Sequence, residues 1–162
     1  MFNKKKILAI IPARGGSKGL RLKNLRKVNK VPLVAYVAKI VNKIPLIDRA
    51  VVSTDHKKIA KIAKKAGLSV PFKRPFKISG DKISDYDVIV HALNFMEKKD
   101  KTKYDIIVSL PPTSPLRKPA DVIGAGSFVF VDVVVLALLL AFAKATSSSL
   151  ILFSALKRVS PR

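Results

Sequence analysis

An arginine, two glycines, a serine and a lysine stand in succession at Arg14–Lys18, directly after the apolar run Ile7–Ile11. The whole stretch Ile11–Gly19 reads IPARGGSKG. Glycines let backbone N–H groups come close to phosphate oxygens, and fixed cations neutralise the charge, so this pattern suits a nucleoside triphosphate. More cations follow at Arg21, Lys23, Arg26, Lys27 and Lys30, with Asn24 among them. No Gly-Lys-Ser/Thr closes the stretch, so it is not a P-loop, and it is not GxGxxG. The competing reading is a strand that ends in a glycine turn with a solvated basic edge.

The elements around it must hold that loop in place. Ile7–Ile11 has strand length and no polar position, which suits a strand covered on both faces. After Pro32, the residues Leu33, Val34, Val37, Val41 and Ile44 recur at helical spacing. Ala50–Ser53 reads as the next strand. Asp55 is placed to cap a helix whose Ile59, Ile62 and Ala63 face inward, with Gly67 as its stop. Leu68–Phe72 is a candidate short strand broken by Pro71. Ser84 or Asp85 opens a third helix through Val88, Ile89, Ala92, Leu93 and Met96, and Ile106–Leu110 forms another buried strand. Alternating helices and buried strands predict an α/β fold, a Rossmann-like domain with a mostly parallel sheet. Ligands in such sheets bind outside the carboxyl ends of the strands, where the phosphate-loop candidate, Ser53–Asp55 and Pro111–Arg117 all fall.

The chain has 162 residues, enough for one domain with a real core. Its net charge of +22 selects polyanionic partners. Lys57, Lys58, Lys61, Lys64 and Lys65 account for part of it as the outer face of one helix. No aromatic residues interleave with the basic ones, so a specific nucleic-acid partner is not expected. Cysteine is absent, which fits a reducing, cytoplasmic setting. The N-terminal lysines and ILAII are not read as a signal peptide, because Pro12 and Arg14 cut the apolar run short.

Residues 1–121 are read as one domain and 122–162 as an apolar tail of a different kind. Val122–Ala143 carries a single charge, Asp132, and no helical or alternating period. It is long enough to span a bilayer, but a charge near its middle costs roughly 2.5–3.5 kcal/mol on insertion scales. Burial within the protein, or a tail that is not the natural continuation, are the readings set beside membrane contact.

Residues 6 to about 121 resemble the acylneuraminate cytidylyltransferases, the CMP-sialic acid synthetase family, including the legionaminate enzymes. The motifs are IPARGGSKG at Ile11–Gly19, Lys23-Asn24, VVSTD at Val51–Asp55, Arg74-Pro75 and PTSPLR at Pro112–Arg117. The resemblance implies a Rossmann-like nucleotidyltransferase, usually dimeric. It implies transfer of CMP from CTP to a nine-carbon 2-keto sugar acid with release of pyrophosphate, and magnesium as cofactor. It places the triphosphate at Arg14, Gly15, Gly16 and Ser17. Lys23 would be the catalytic cation at the α-phosphate, supported by Arg14, with Asn24 at the nucleotide. Arg74 and Ser84 would border the nucleotide, and Thr113, Ser114 and Arg117 the sugar acid.

Some positions depart from the family pattern. Arg21-Leu22 precede Lys23 where the family has proline followed by arginine or glycine, which predicts a less rigid turn. Pro111 replaces a glutamine, and Ile83 and Asp85 flank Ser84 where small or hydroxyl residues are usual. Family members are longer, and the acids that hold their magnesium have no counterpart, so metal ligands are not assigned. Neither His56 nor His91 has metal-site spacing. The alternative function is an inactive truncated remnant that binds nucleotide or polyanions without catalysis.

Overall fold

The computed structural model describes residues 5–124 and 128–130. Four strands form the main sheet: β1 (Ile7–Pro12), β4 (Arg49–Ser53), β5 (Ile106–Ser109) and β6 (Phe128–Phe130). Their spatial order is β4-β1-β5-β6. β1 is central and parallel to both neighbours, pairing Pro12 with Ser53 on one side and Ile10 with Ser109 on the other. β6 alone runs antiparallel, against β5. The expected parallel α/β sheet is therefore present, with an antiparallel edge that the apolar run 122–143 gave no period to foresee.

β1 is apolar throughout because it is covered twice. Successive side chains point to opposite faces. Ile7, Ala9 and Ile11 join Val34, Val37, Ala38, Ile59 and Ala63 on one face. These come from helices α1 (Leu33–Val41) and α2 (Lys57–Lys65). Leu8 and Ile10 join Ala92, Leu93 and Met96 of helix α3 (Asp85–Asp100) on the other. Two carboxylates fix the start of the strand: Asp48 accepts from the Ile7 N–H at 2.7 Å and Asp105 from the Lys6 N–H at 2.8 Å.

α3 opens as the residue types dictate. Ser84 is its N-cap, its Oγ accepting from the Asp87 N–H at 3.2 Å and donating to the Asp87 carboxylate at 2.8 Å. Asp85 and Asp87 lie in its first turn and Lys98 and Lys99 in its last, matching the helix dipole. α2 departs from expectation. His56, not Asp55, stands at its N-cap and makes no side-chain cap. The Asp55 carboxylate is spent elsewhere, as described below. Leu68–Phe72 does not form a strand; only the isolated bridge between Val51 and Ser69 survives, because Pro71 removes a donor. The five α2 lysines are all exposed.

A short hairpin, β2 (Lys27–Val28) and β3 (Val31–Pro32), sits between β1 and α1. Its two turn residues, Asn29 and Lys30, have φ of 46° and 64°. A two-residue hairpin of this kind demands positive φ at both positions, and Asn-Gly satisfies it with the least strain. Lys30→Gly is expected to raise unfolding free energy by about 0.5–1 kcal/mol, the left-handed penalty of ~1–2 kcal/mol less the extra entropy of an unfolded glycine. Urea denaturation of the two proteins measures it, and a loss of stability would contradict the turn.

Val122 is buried in the core from helix α4 (Pro119–Gly124). Most of the run 122–143, with Asp132, lies outside the described residues, as does the rest of the tail. Among the described residues no helix is long and apolar enough to cross a membrane.

Candidate functional site

Because β1, β4 and β5 are parallel, the loops after them emerge along one edge of the sheet. This brings Arg14–Ser17, Ser53–His56 and Pro111–Arg117 to that edge, with Arg74 tied to it from the segment after α2.

The loop after β1 is held by contacts from distant parts of the chain. The Gly15 N–H donates to Asp55 Oδ1 at 2.8 Å, and the buried Asn24 donates its amide to the Arg14 carbonyl at 2.9 Å. The Ser17 N–H turns back to the Gly15 carbonyl at 3.1 Å. Asp55 is thus a loop anchor, 40 residues from the group it holds. Two of the N–H groups expected to face phosphate, those of Gly15 and Ser17, are already taken. Asn24 likewise acts here through the Arg14 carbonyl.

The two glycines differ. A Cβ on Gly15 would lie 2.9 Å from both Cβ and Cδ2 of His56. Gly16 is exposed and a Cβ there would meet nothing within 4 Å. Gly15 is therefore required by packing, whereas the space above Gly16 is open to a ligand.

Arg74 is 4% exposed. Its Nε donates to Ser53 Oγ at 3.0 Å and its Nη2 to the Ser53 carbonyl at 2.6 Å, while its N–H donates to the Thr54 carbonyl at 2.8 Å. The Ser53 carbonyl also accepts from the Ala13 N–H at 2.9 Å, so one oxygen joins three segments. Burial pushes the Arg74 guanidinium below its ordinary pKa; Asp55 and Asp85 pull it back up, and Arg14 opposes them. These four charges share one neighbourhood. Behind them on α3, desolvation and then the Arg74 charge lower the pKa of His91.

Lys23 opens a single 3-10 turn, Lys23–Leu25. Leu22 before it is left-handed, with φ 52° and ψ 41°. The turn is closed by the Lys23 N–H to the Leu20 carbonyl at 3.1 Å and the Leu25 N–H to the Leu22 carbonyl at 2.8 Å. Main-chain hydrogen bonds thus close the turn at Leu20–Leu25. Among the described residues the Lys23 ammonium has no ion pair or hydrogen bond. Arg14 does have one: its Nη1 lies 2.6 Å from Asp81 Oδ1, and Lys18 Nζ lies 3.1 Å from Asp81 Oδ2.

On the β5 side, Thr113 and Ser114 are exposed, and the Arg117 N–H donates to the Ser114 carbonyl at 3.3 Å. Arg117 Nη1 is buried without a partner among the described residues. Pro111 offers no side-chain donor or acceptor. Ser84 is exposed and serves as the cap already described. A pocket of about 320 Å³ opens beside the site, lined by Thr54, Asp55, His56, Phe72 and Lys73 among others.

Sequence reading included Lys18 among the loop cations but missed Asp81 and the packing of His56 on Gly15. Asp81 carried one usable signal, as one of only 10 acids in a chain with 32 Lys and Arg. Among the described residues no group of three or more His, Cys, Asp or Glu side chains is gathered to hold a metal. The nearby carboxylates of Asp55 and Asp81 are committed to Gly15 and to Arg14 and Lys18. These residues do not make up a magnesium site.

Comparison with known proteins bears on this geometry. The family model for cytidylyltransferases matches residues 8–124. Post-translational flagellin modification protein B of Campylobacter coli is 40% identical over 119 residues, covering 74% of this chain and 51% of that protein. The CMP-N,N'-diacetyllegionaminic acid synthase of Campylobacter jejuni is 38% identical over 109 residues, covering 67% of this chain and 46% of the relative. The chain spans about half the length of these curated relatives. A CMP:2-keto-3-deoxy-manno-octonic acid synthetase solved with CTP shares the fold, with a TM-score of 0.60 at 24% identity, over 73% of this chain and 44% of the other. The motifs, the parallel sheet and these matches agree: the chain belongs to the cytidylyltransferase family, with the resemblance to acylneuraminate and legionaminate enzymes upheld.

Proposed function

We propose that this chain carries the CTP-binding part of a cytidylyltransferase that transfers CMP to a nonulosonic sugar acid and releases pyrophosphate. The supporting observation is the loop at the end of β1, where Arg14 and Lys18 meet at Asp81 and the space above Gly16 is open. In the proposed reaction a sugar hydroxyl attacks the α-phosphate, and charge grows on the departing pyrophosphate. Positioning and charge neutralisation dominate such transfers. Lys23, with no partner among the described residues, acts at the α-phosphate; Arg14, the Gly16 N–H and the Ser17 hydroxyl hold the phosphates. Arg74 keeps the base side of the site in shape through Ser53. Arg117, with an unpartnered buried nitrogen, is the group for the sugar carboxylate, where a guanidinium binds in two-point fashion.

The test is titration of the chain with CTP, UTP and ATP, followed by pyrophosphate release with CTP, magnesium and a panel of nonulosonic acids. Binding of CTP at least tenfold tighter than of UTP, with release that requires one sugar acid, is the expected result. Equal binding of all three nucleotides overturns the cytidine reading. CTP binding without release from a folded sample supports the remnant.

A further inference from the structure

In a chain of such positive charge, a carboxylate shared by two cations of the phosphate loop stands out. Asp81 gives one oxygen to Arg14 and the other to Lys18, at 2.6 and 3.1 Å. A terminal phosphate with two non-bridging oxygens offers the same pair of acceptors to the same pair of donors. The segment that carries Asp81 is fixed at both ends, by the buried Arg74 and by the Ser84 cap. Between them its hydrogen bonds are local, from the Ser79 hydroxyl to the Pro75 carbonyl at 2.9 Å and from the Ser79 N–H to the Phe76 carbonyl at 3.0 Å. Among the described residues, the reach from this stretch to the phosphate loop is made by Asp81. Lys18 is exposed and the Arg14 and Asp81 side chains are 31% and 33% exposed, and pairs this open to water are weak enough to be exchanged for a stronger anion.

We infer that Asp81 is an internal stand-in for a ligand phosphate, holding Arg14 and Lys18 together and yielding them to a polyphosphate. The inference rests on the phosphate-binding reading of the loop and adds two consequences. Only a ligand whose charge outcompetes the tethered carboxylate occupies the loop, which favours triphosphate over orthophosphate. Its arrival expels Asp81 by like-charge repulsion and frees residues 76–83, so loop occupancy is transmitted to the segment that ends at Ser84.

Calorimetric titration with inorganic tripolyphosphate, without nucleotide or metal, tests this on the wild type, Asp81→Asn and Asp85→Asn. Asp85 supplies the control, since its loss changes net charge equally without removing a contact to Arg14 or Lys18. Asp81→Asn is expected to bind about three- to tenfold tighter, the sum of two exposed pairs, and Asp85→Asn less than twofold tighter. Equal gains in both variants, or no gain in Asp81→Asn, overturn the inference. Hydrogen exchange of residues 76–83 gives a second readout on the wild type alone. It should quicken on adding tripolyphosphate, and unchanged exchange also overturns the inference. Indifference between CTP and UTP would defeat the cytidine reading and leave Asp81 untouched. Failure of tripolyphosphate to bind any of the three proteins would remove both.

Discussion

Lys23→Ala is expected to lower the turnover of CTP by about 10²–10³-fold or more, the scale seen when one preorganised charge-stabilising group is removed. The fold should be unaffected, because the Lys23 ammonium has no partner among the described residues and its backbone turn is made by main-chain bonds. Most CTP affinity should also survive, since Arg14, Lys18 and the loop backbone remain. The proposed role is strongest where charge develops, and a loss confined to kcat identifies such a group. Single-turnover pyrophosphate release with the sugar acid in excess, beside a CTP titration, measures both. Unchanged turnover removes Lys23 from the mechanism, and a parallel collapse of affinity would make it a ground-state binder.

Gly15→Ala carries the largest structural effect. The added methyl would sit 2.9 Å from two atoms of His56, one of them the His56 Cβ. A flexible tip could swing away; a Cβ moves only with its backbone. Either the loop or the start of α2 must shift, which is expected to cost about 1–3 kcal/mol and to break the bond from the Gly15 N–H to Asp55. Combining it with His56→Ala should recover only part of the loss, because that change removes the ring and keeps the Cβ. Gly16→Ala is the informative contrast. It has open space around it, so stability should change by less than about 0.5 kcal/mol, and a fall in CTP affinity would then report a ligand lying over Gly16. Urea denaturation and CTP titration of the three variants decide it.

The elements that sequence reveals best are those whose pattern is local. β1 announces itself as a short run without polar residues and β5 as one with Ser109 alone among apolar ones, since each is covered on both faces. α3 is legible from its Ser84 cap and its periodic apolar residues. The glycine loop and its cations can be placed because they follow a strand and because parallel strands put ligands at one end. Asp55 illustrates the limit. Its position before α2 matches a helix cap, yet its partner lies 40 residues earlier, and no local spacing encodes that choice. Asp81 and the packing of His56 on Gly15 are invisible for the same reason. β6 is hidden differently, since a run of Val, Leu and Ala without period reads alike as strand, helix core or membrane span.

The oxygen of Ser53, which receives both Ala13 and Arg74, dictates when the site comes into being. Contacts joining residues 13, 53 and 74 are long-range closures, and such closures must wait for the chain entropy they cost to be repaid by strand pairing. A nascent chain that has emerged only as far as α2 already exposes the whole sequence of the phosphate loop. It has the β1–β4 pairing within reach, but not the guanidinium that shares the Ser53 oxygen. This anchor is thus made only after residue 74 has left the ribosome and folded back, later than the loop sequence that it holds.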